Sequence, residues 1–332
     1  MKATTVIFVS AILALAPLPG KAATAMQECL IASLETADGN ATVGSLRSLC
    51  NEKVGAPGPK RKDTTVLQKL HSDADIENRK YIISVHKQNY ILPYTSNSDL
   101  NREPWNQATT PENAAAFKDE EAIFQVSAKF PLYRNLFSRN MDLYFGYTQK
   151  SWWQIYTDEA ELSAPFRETN YEPEVFARYY GGPDLPGFGR VSVMDFGIVH
   201  QSNGRADISD GALNRSWDRV MAKAVLDWDQ FALKVRGWWA YEESDDNPNL
   251  YQYMGYGDVR AIWAPNKHTF GLMVRPGTKK VGIEASWSWQ FTDVMRLYAQ
   301  YYTGYGESLL DYNAKTNRFG IGIMMTDFLM ND

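Results

Sequence analysis

Four histidines occur in the chain, and one of them, His200, stands two residues before a serine, Ser202. In an extended segment those two side chains share a face, because successive residues of a strand point to opposite sides. Met194, Phe196 and Ile198 precede them on that face, while Val193, Asp195 and Gly197 occupy the other. A second segment begins at Trp217-Asp218, where Asp218, Val220, Ala222, Ala224 and Leu226 alternate with Arg219, Lys223 and Asp227. If the two segments form a hairpin, an imidazole, a hydroxyl and a carboxylate gather on one otherwise apolar face. A serine is a weak nucleophile until a neighbouring imidazole takes its proton, and an acid orients that imidazole. The chemistry is acyl transfer. The alternative is that all three belong to a polar belt at a membrane interface. His71 lies in a polar stretch, and His86 and His268 have no candidate partner nearby in sequence, so surface or lumen roles suit them.

The elements that must hold this hairpin are strands with one apolar face. Val281, Ile283, Ala285 and Trp287 alternate with Glu284, Ser286 and Ser288, and Phe319, Ile321 and Ile323 with Arg318, Gly320 and Gly322. Phe231, Leu233 and Val235 alternate with Ala232, Lys234 and Arg236, and Leu297, Ala299 and Tyr301 with Arg296, Tyr298 and Gln300. Charges on the inner face would be costly in a packed core. Across the lumen of a barrel they can pair, so the pattern predicts an all-β antiparallel transmembrane barrel over residues 79–332. About twelve strands are expected, centred near residues 85, 126, 148, 176, 195, 222, 235, 257, 272, 285, 299 and 322, an even number that closes the ring. The 19 Tyr and 10 Trp, within an aromatic content of 13%, suit the two interfacial girdles of such a barrel.

Lys2, the apolar run from Val6 to Leu15 and Ala23-Thr24-Ala25 read as an export signal over residues 1–25. Pro17 and Pro19 interrupt the run before the ~20 residues that a helical span needs. No later apolar stretch is long enough to span, so a membrane-bound mature chain must be a closed barrel. Residues 26–78 form a polar extension containing Gly55-Ala56-Pro57-Gly58-Pro59 and Lys60-Arg61-Lys62. Cys29 and Cys50, the only two cysteines, are expected to bond there after export. Closing that loop would stabilise the extension by roughly 3 kcal/mol. The net charge of -5 excludes nucleic-acid binding through a basic face. A passive channel would explain a charged lumen, but it has no use for His200, Ser202 and Asp218.

His200-Gln201-Ser202-Asn203-Gly204-Arg205 and Arg215-Ser216-Trp217-Asp218-Arg219 resemble the active-site hairpin of the outer-membrane phospholipase A family. So do Tyr147-Thr148-Gln149-Lys150-Ser151-Trp152-Trp153-Gln154, the run from Pro165 to Pro173, Asp245-Asp246-Asn247-Pro248, Tyr253-Met254-Gly255-Tyr256 and the run from Gly304 to Asn313. The resemblance extends over about residues 80 to 330 and leaves out the Cys29–Cys50 segment. It implies a calcium-dependent lipase of the bacterial outer membrane that removes the sn-1 or sn-2 acyl chain of a phospholipid, acts on lysophospholipids, and works as a homodimer. Ser202 would be the nucleophile, His200 its base, and the Gly204 N–H an oxyanion donor. The third member in this family is typically Asn, and Asp218 stands in its place. The resemblance also implies calcium ligation by the Arg205 carbonyl, by Ser163 from the partner subunit, and by either Asn214 or Ser209, because the loop is four residues longer than the family suggests. Asp246 would serve an additional calcium mode. Gln149 would sit in the dimer contact, where a mid-strand amide facing hydrocarbon needs a partner.

Overall fold

A computed structural model describes residues 83–108, 116–138, 140–157, 164–187, 189–205, 213–242 and 246–325, together with Cys29, Ser33 and Cys50. The expected export signal and the rest of the polar extension lie outside the described residues. The chain divides into two units, Met1–Lys62 and Asp63–Asp332. In the first, Cys29 and Cys50 are joined in a disulfide with their Cα atoms 5.7 Å apart. The Ser33 hydroxyl lies 3.4 Å from the Cys50 sulfur.

The second unit is built from strands in a meander. In chain order they are β1 (Ser84–Val85), β2 (Tyr90–Asn97), β3 (Glu120–Tyr133), β4 (Met141–Trp153), β5 (Phe166–Tyr180), β6 (Asp184–Leu185) and β7 (Gly189–Ser202). They continue with β8 (Ser216–Trp228), β9 (Phe231–Glu242), β10 (Gly257–Trp263), β11 (His268–Pro276), β12 (Val281–Gln290), β13 (Arg296–Gly304) and β14 (Thr316–Met324). Among the described residues of this unit two short α-helices, α1 (Glu103–Ala108) and α2 (Tyr251–Met254), sit in loops. All 14 strands form one antiparallel sheet, in which β1 and β6 are two-residue additions at β3 and β7. The other twelve close on themselves, because β14 pairs with β2 and β4 with β3. Closure leaves no edge, so no barrel strand presents unpaired backbone to hydrocarbon.

The alternation read from the sequence decides which side each residue takes. On β12 Gly282, Glu284, Ser286 and Ser288 are buried, and the residues between them are not. On β7 Phe196 and Ile198 are 52% and 55% exposed to the outside, whereas Asp195, directly before Phe196, is 1% exposed. At the short-turn rim, Trp228, Phe231, Trp263 and Phe270 stack in sequence with ring centres 5.4 to 6.2 Å apart, part of an interfacial girdle. The long loops 98–119, 154–165, 203–215, 243–256 and 305–315 all leave the opposite rim, which in barrels of this type faces the cell exterior.

One expected strand is displaced. The centre near residue 85 falls on the two-residue β1, and the barrel strand proper is Tyr90–Asn97. Between them the chain turns into the lumen, where His86, Lys87 and Gln88 are all buried. His86 Nε2 lies 2.6 Å from Glu174 Oε1, and Lys87 pairs with Glu172 and, at 3.0 Å, with Glu174. Three successive polar residues can leave the ladder because acids across the lumen receive two of them. Pro93, which has no N–H to give, then introduces a register shift where β2 meets β3 and β14.

The inner face is a set of ion pairs. Asp195 takes two hydrogen bonds of 2.8 Å from the Arg178 guanidinium and one contact of 2.6 Å from Lys223, all three nearly fully buried. Arg236 makes two hydrogen bonds to Asp258, Arg260 lies 2.9 Å from Glu284 Oε1, and Arg236, Arg260 and Glu284 help line a cavity of about 160 Å³. Removing one partner of such a buried set strands the others. Asp195→Ala is therefore expected to destabilise the barrel by about 3 kcal/mol or more, read as a lower urea midpoint for loss of heat-modifiable migration. An unchanged midpoint would mean that water reaches Arg178 and Lys223.

Candidate active site

The hairpin of β7 and β8 carries the catalytic candidates, and its register brings two of them opposite each other: His200 pairs with Asp218, and Ser202 with Ser216. Both strands are apolar on the outside at this level, with Ile198 before His200 and Val220 after Asp218 both more than half exposed. His200 Nδ1 lies 2.9 Å from Asp218 Oδ1. Their side chains are 46% and 27% exposed on the lipid side, so this contact is made at the barrel surface. With Nδ1 engaged, Nε2 is the ring nitrogen left for a hydroxyl proton. Ser202 stands on the same face one pleat further toward the long-loop rim, at the last residue of β7.

The strand ends here for a local reason. Gly204 adopts φ +68°, in the left-handed region that glycine enters without penalty. A Cβ at this position would meet the Tyr171 ring at 2.9 Å. Tyr171 is itself the residue paired with Ser202 across β5 and β7. Glycine thus lets the chain turn directly over a neighbouring ring, with Gly204 itself exposed.

Asn203 is the residue that sequence reasoning missed. It is 5% exposed and closes the neck of the loop. Its N–H donates to the Arg215 carbonyl at 3.0 Å and its amide to the Leu213 carbonyl at 2.6 Å. Its Oδ1 accepts from the N–H groups of Arg205 (3.4 Å) and Arg215 (3.1 Å). The same amide reaches Glu168 Oε2 at 3.3 Å, and Glu168 also accepts from the Leu310 N–H at 3.2 Å. Beside it Arg167 makes two 2.9 Å bonds to Glu121 and a third of 2.7 Å to Asp311. The segments around residues 121, 167, 203 and 311 are thereby tied beneath the rim. Only the Arg205 contact is local in the chain; the partners across the loop neck and in β5 leave no sequence signal.

The candidate calcium ligands are only partly within view. Ser163 and Ser209 lie outside the described residues. Asn214 Nδ2 donates to Asp246 Oδ2 at 2.8 Å, and Asn247 donates to the Ser216 carbonyl, so Asp246 is docked against the hairpin rather than standing in a free turn. Among the described residues no three His, Cys, Asp or Glu side chains gather as a metal cluster. The donors at hand are a backbone carbonyl at Arg205, an amide at Asn214 and a carboxylate at Asp246, all hard oxygens of the kind calcium takes. Gln149 lies on the lipid face of β4, where it accepts from Tyr147 at 3.4 Å and donates to Ser151 at 3.2 Å. Register places Gln149, Tyr171 and Ser202 in one transverse row across three adjacent strands.

Fold and hairpin together define the class: an integral β-barrel of the bacterial outer membrane with a polar, serine-containing cluster on its lipid face. The family model described as phospholipase A1 matches residues 66–325, and the chain belongs to that family. Phospholipase A1 of Escherichia coli K12 is 36% identical over 241 residues, covering 72% of this chain and 80% of its own length. The solved outer membrane phospholipase A of Escherichia coli matches with a TM-score of 0.69 at 34% identity, over 76% of this chain and 94% of that one. The Salmonella typhi outer membrane phospholipase, solved as a dimer with bound calcium, matches with a TM-score of 0.70 at 33% identity, over 77% and 97% of the two chains.

Loss of the Asn203 side chain would leave two loop N–H groups and a carbonyl without their partner, at about 1–3 kcal/mol for each buried group left unpaired. Asn203→Ala should therefore be cut between residues 203 and 215 faster than the wild type in limited proteolysis, with heat-modifiable migration preserved. Equal cleavage rates would show that the neck is held by something else.

Proposed function

We propose that this protein is a calcium-dependent phospholipase that hydrolyses sn-1 and sn-2 acyl esters of phospholipids, and lysophospholipids, at Ser202, His200 and Asp218, and that it is active as a homodimer. The observation that carries the reading is the 2.9 Å contact of His200 Nδ1 with Asp218 Oδ1 on the lipid face, one pleat from Ser202, in a member of the phospholipase A1 family. The substrate class follows from where that face sits. A group on the lipid side near the rim meets a phospholipid at the depth of its ester bonds, without lifting the molecule out of the membrane.

In this reading His200 Nε2 takes the Ser202 Oγ proton as Oγ bonds to the ester carbonyl carbon. The carbonyl oxygen becomes an oxyanion and accepts a hydrogen bond from the Gly204 N–H, which the left-handed turn leaves accessible. Collapse breaks the ester bond, and the leaving alkoxide takes the proton from His200. A water then attacks the acyl-serine, giving its proton to His200, and the fatty acid leaves as Ser202 is reprotonated. Asp218 holds the ring with Nε2 toward Ser202 and stabilises the imidazolium during each transfer. Calcium, held by the Arg205 carbonyl, by Asn214 or Ser209 and by the partner subunit's Ser163, would supply positive charge near the oxyanion, with Asp246 serving a second mode. The hard-oxygen character of these donors and the calcium-bound dimer of the Salmonella typhi relative support that assignment.

Fatty-acid release from detergent-dispersed phospholipid tests the site. Ser202→Ala is expected to abolish release while leaving barrel migration unchanged, and a sulfonyl fluoride should label Ser202 alone. Asp218→Asn should stay substantially active, because an amide oxygen can accept the same ring hydrogen bond, and Asp218→Ala should lose on the order of tenfold or more. Full activity in Ser202→Ala would remove the triad, and full activity in Asp218→Ala would reduce Asp218 to a rim carboxylate.

Assembly gives a separate test. Calcium with substrate should promote dimers and chelation should return monomers. Gln149→Leu, which removes an amide from the lipid face, should weaken the dimer by roughly 1 kcal/mol. An unchanged crosslinking profile in that variant would take Gln149 out of the interface.

A further inference from the structure

Between the outward-facing His200 and Ser202 stands Gln201, which points into the barrel and is bonded there to both residues that flank Asp218. Its Oε1 accepts from Trp217 Nε1 at 2.8 Å and from Arg219 Nη2 at 3.1 Å. Trp217 and Arg219 are 2% and 7% exposed, and the Arg219 guanidinium lies 3.9 Å above the Trp217 ring. Trp217 meets Trp238 edge-on, at 6.2 Å between ring centres. Arg219 Nη2 also donates to Glu172 Oε2 at 3.1 Å, and Glu172 is paired with Lys87. The contact therefore joins the middle of the His-x-Ser segment to the neighbouring strand on either side of the acid, and it is anchored beyond in β5 and in the lumen segment.

The backbone pairing on the two outer sides of the hairpin is interrupted here. On one side, the paired residues of β5 and β7 pass from Tyr171–Ser202 to Glu174–Val199, skipping the level of Pro173, which has no N–H to donate. On the other, the register of β8 and β9 shifts between Asp218 and Arg219. At the level of the candidate site one outer ladder thus has a gap in its pairing and the other a shift in register. The pleat at His200, Gln201 and Ser202 is left to the β7–β8 pairing and to side chains behind it.

We propose that Gln201 is a positioning residue for the hydrolytic site. By clamping Trp217 and Arg219 from inside the barrel it fixes the pleat that holds His200 against Asp218 and Ser202 within reach of the ring. The inference rests on the phospholipase reading above. Gln201 touches no substrate, so its effect falls on the chemical step: small displacements of reacting groups cost rate before they cost binding.

The test compares the full chain with Gln201→Leu and Gln201→Glu, measuring kcat and KM for fatty-acid release from dispersed phospholipid. Gln201→Leu keeps bulk but loses the acceptor, and its kcat is expected to fall about tenfold with KM within about twofold. Gln201→Glu retains an acceptor for both donors and is expected to keep at least half of the wild-type kcat. Should Gln201→Leu fail to assemble, Trp217→Phe decides, since it removes the N–H that Gln201 accepts while keeping an aromatic ring in place; there kcat should fall severalfold with KM within about twofold. A wild-type kcat in an assembled Gln201→Leu, or in Trp217→Phe, overturns the inference alone, as does a Gln201→Glu no better than Gln201→Leu. A wild-type protein that releases no fatty acid overturns the phospholipase reading and this inference together.

Discussion

A peptide group in hydrocarbon has no water to bond with, and each one left unpaired costs several kcal/mol. Closing twelve strands into a ring removes that cost and simultaneously limits every barrel residue to two directions, out toward lipid or in toward the lumen. The inward direction is too enclosed for lone charges. It is filled by sets such as Arg178, Asp195 and Lys223, in which each charge is answered by another. The outward direction is largely apolar, and the His200–Asp218 contact is an exception to it. It lies at the end of a hairpin, close to the rim, where a polar group is cheaper than at the midplane.

Because inward and outward residues alternate on one backbone, the two faces of a strand move together. The hydrogen bonds of Gln201 inside and the contact of His200 outside are parts of one pleat. The rim is tied in a similar way: Glu168 and Asn203 join the start of β5 to the loop beyond β7, and Arg167 joins it to Glu121 and Asp311. Trp105, Phe117, Leu213 and Leu310 pack above these groups in a small apolar cluster. A site on the surface of a barrel can thus be braced from within, by side chains that bond across the lumen.

Asp218 stands where the resemblance leads one to expect Asn. The ring contact uses a single oxygen, Oδ1, and an amide oxygen could make the same bond. The substitution therefore changes charge rather than geometry. A carboxylate at a lipid-facing rim carries a desolvation cost that an amide does not, and in the proposed mechanism it offsets part of that cost when His200 becomes cationic.

Period-two alternation determined the fold class, the strands from β3 onward and the face taken by each residue, since hydrophobicity and pleat direction are local properties. It also put His200, Ser202 and Asp218 on one face before any coordinates, because a hairpin needs only a turn to bring its strands together. It misplaced the first strand, because the polar run His86-Lys87-Gln88 leaves the ladder only when Glu172 and Glu174, far along the chain, are present to receive it. Asn203, Glu168 and Gln201 were not legible for the same reason. Their types are ordinary and their partners, such as Leu310 for Glu168, are remote, so nothing in their own neighbourhood marks them. The alternation of types along a strand is written in the sequence; which inward side chain meets which is settled only by the register and closure of the ring.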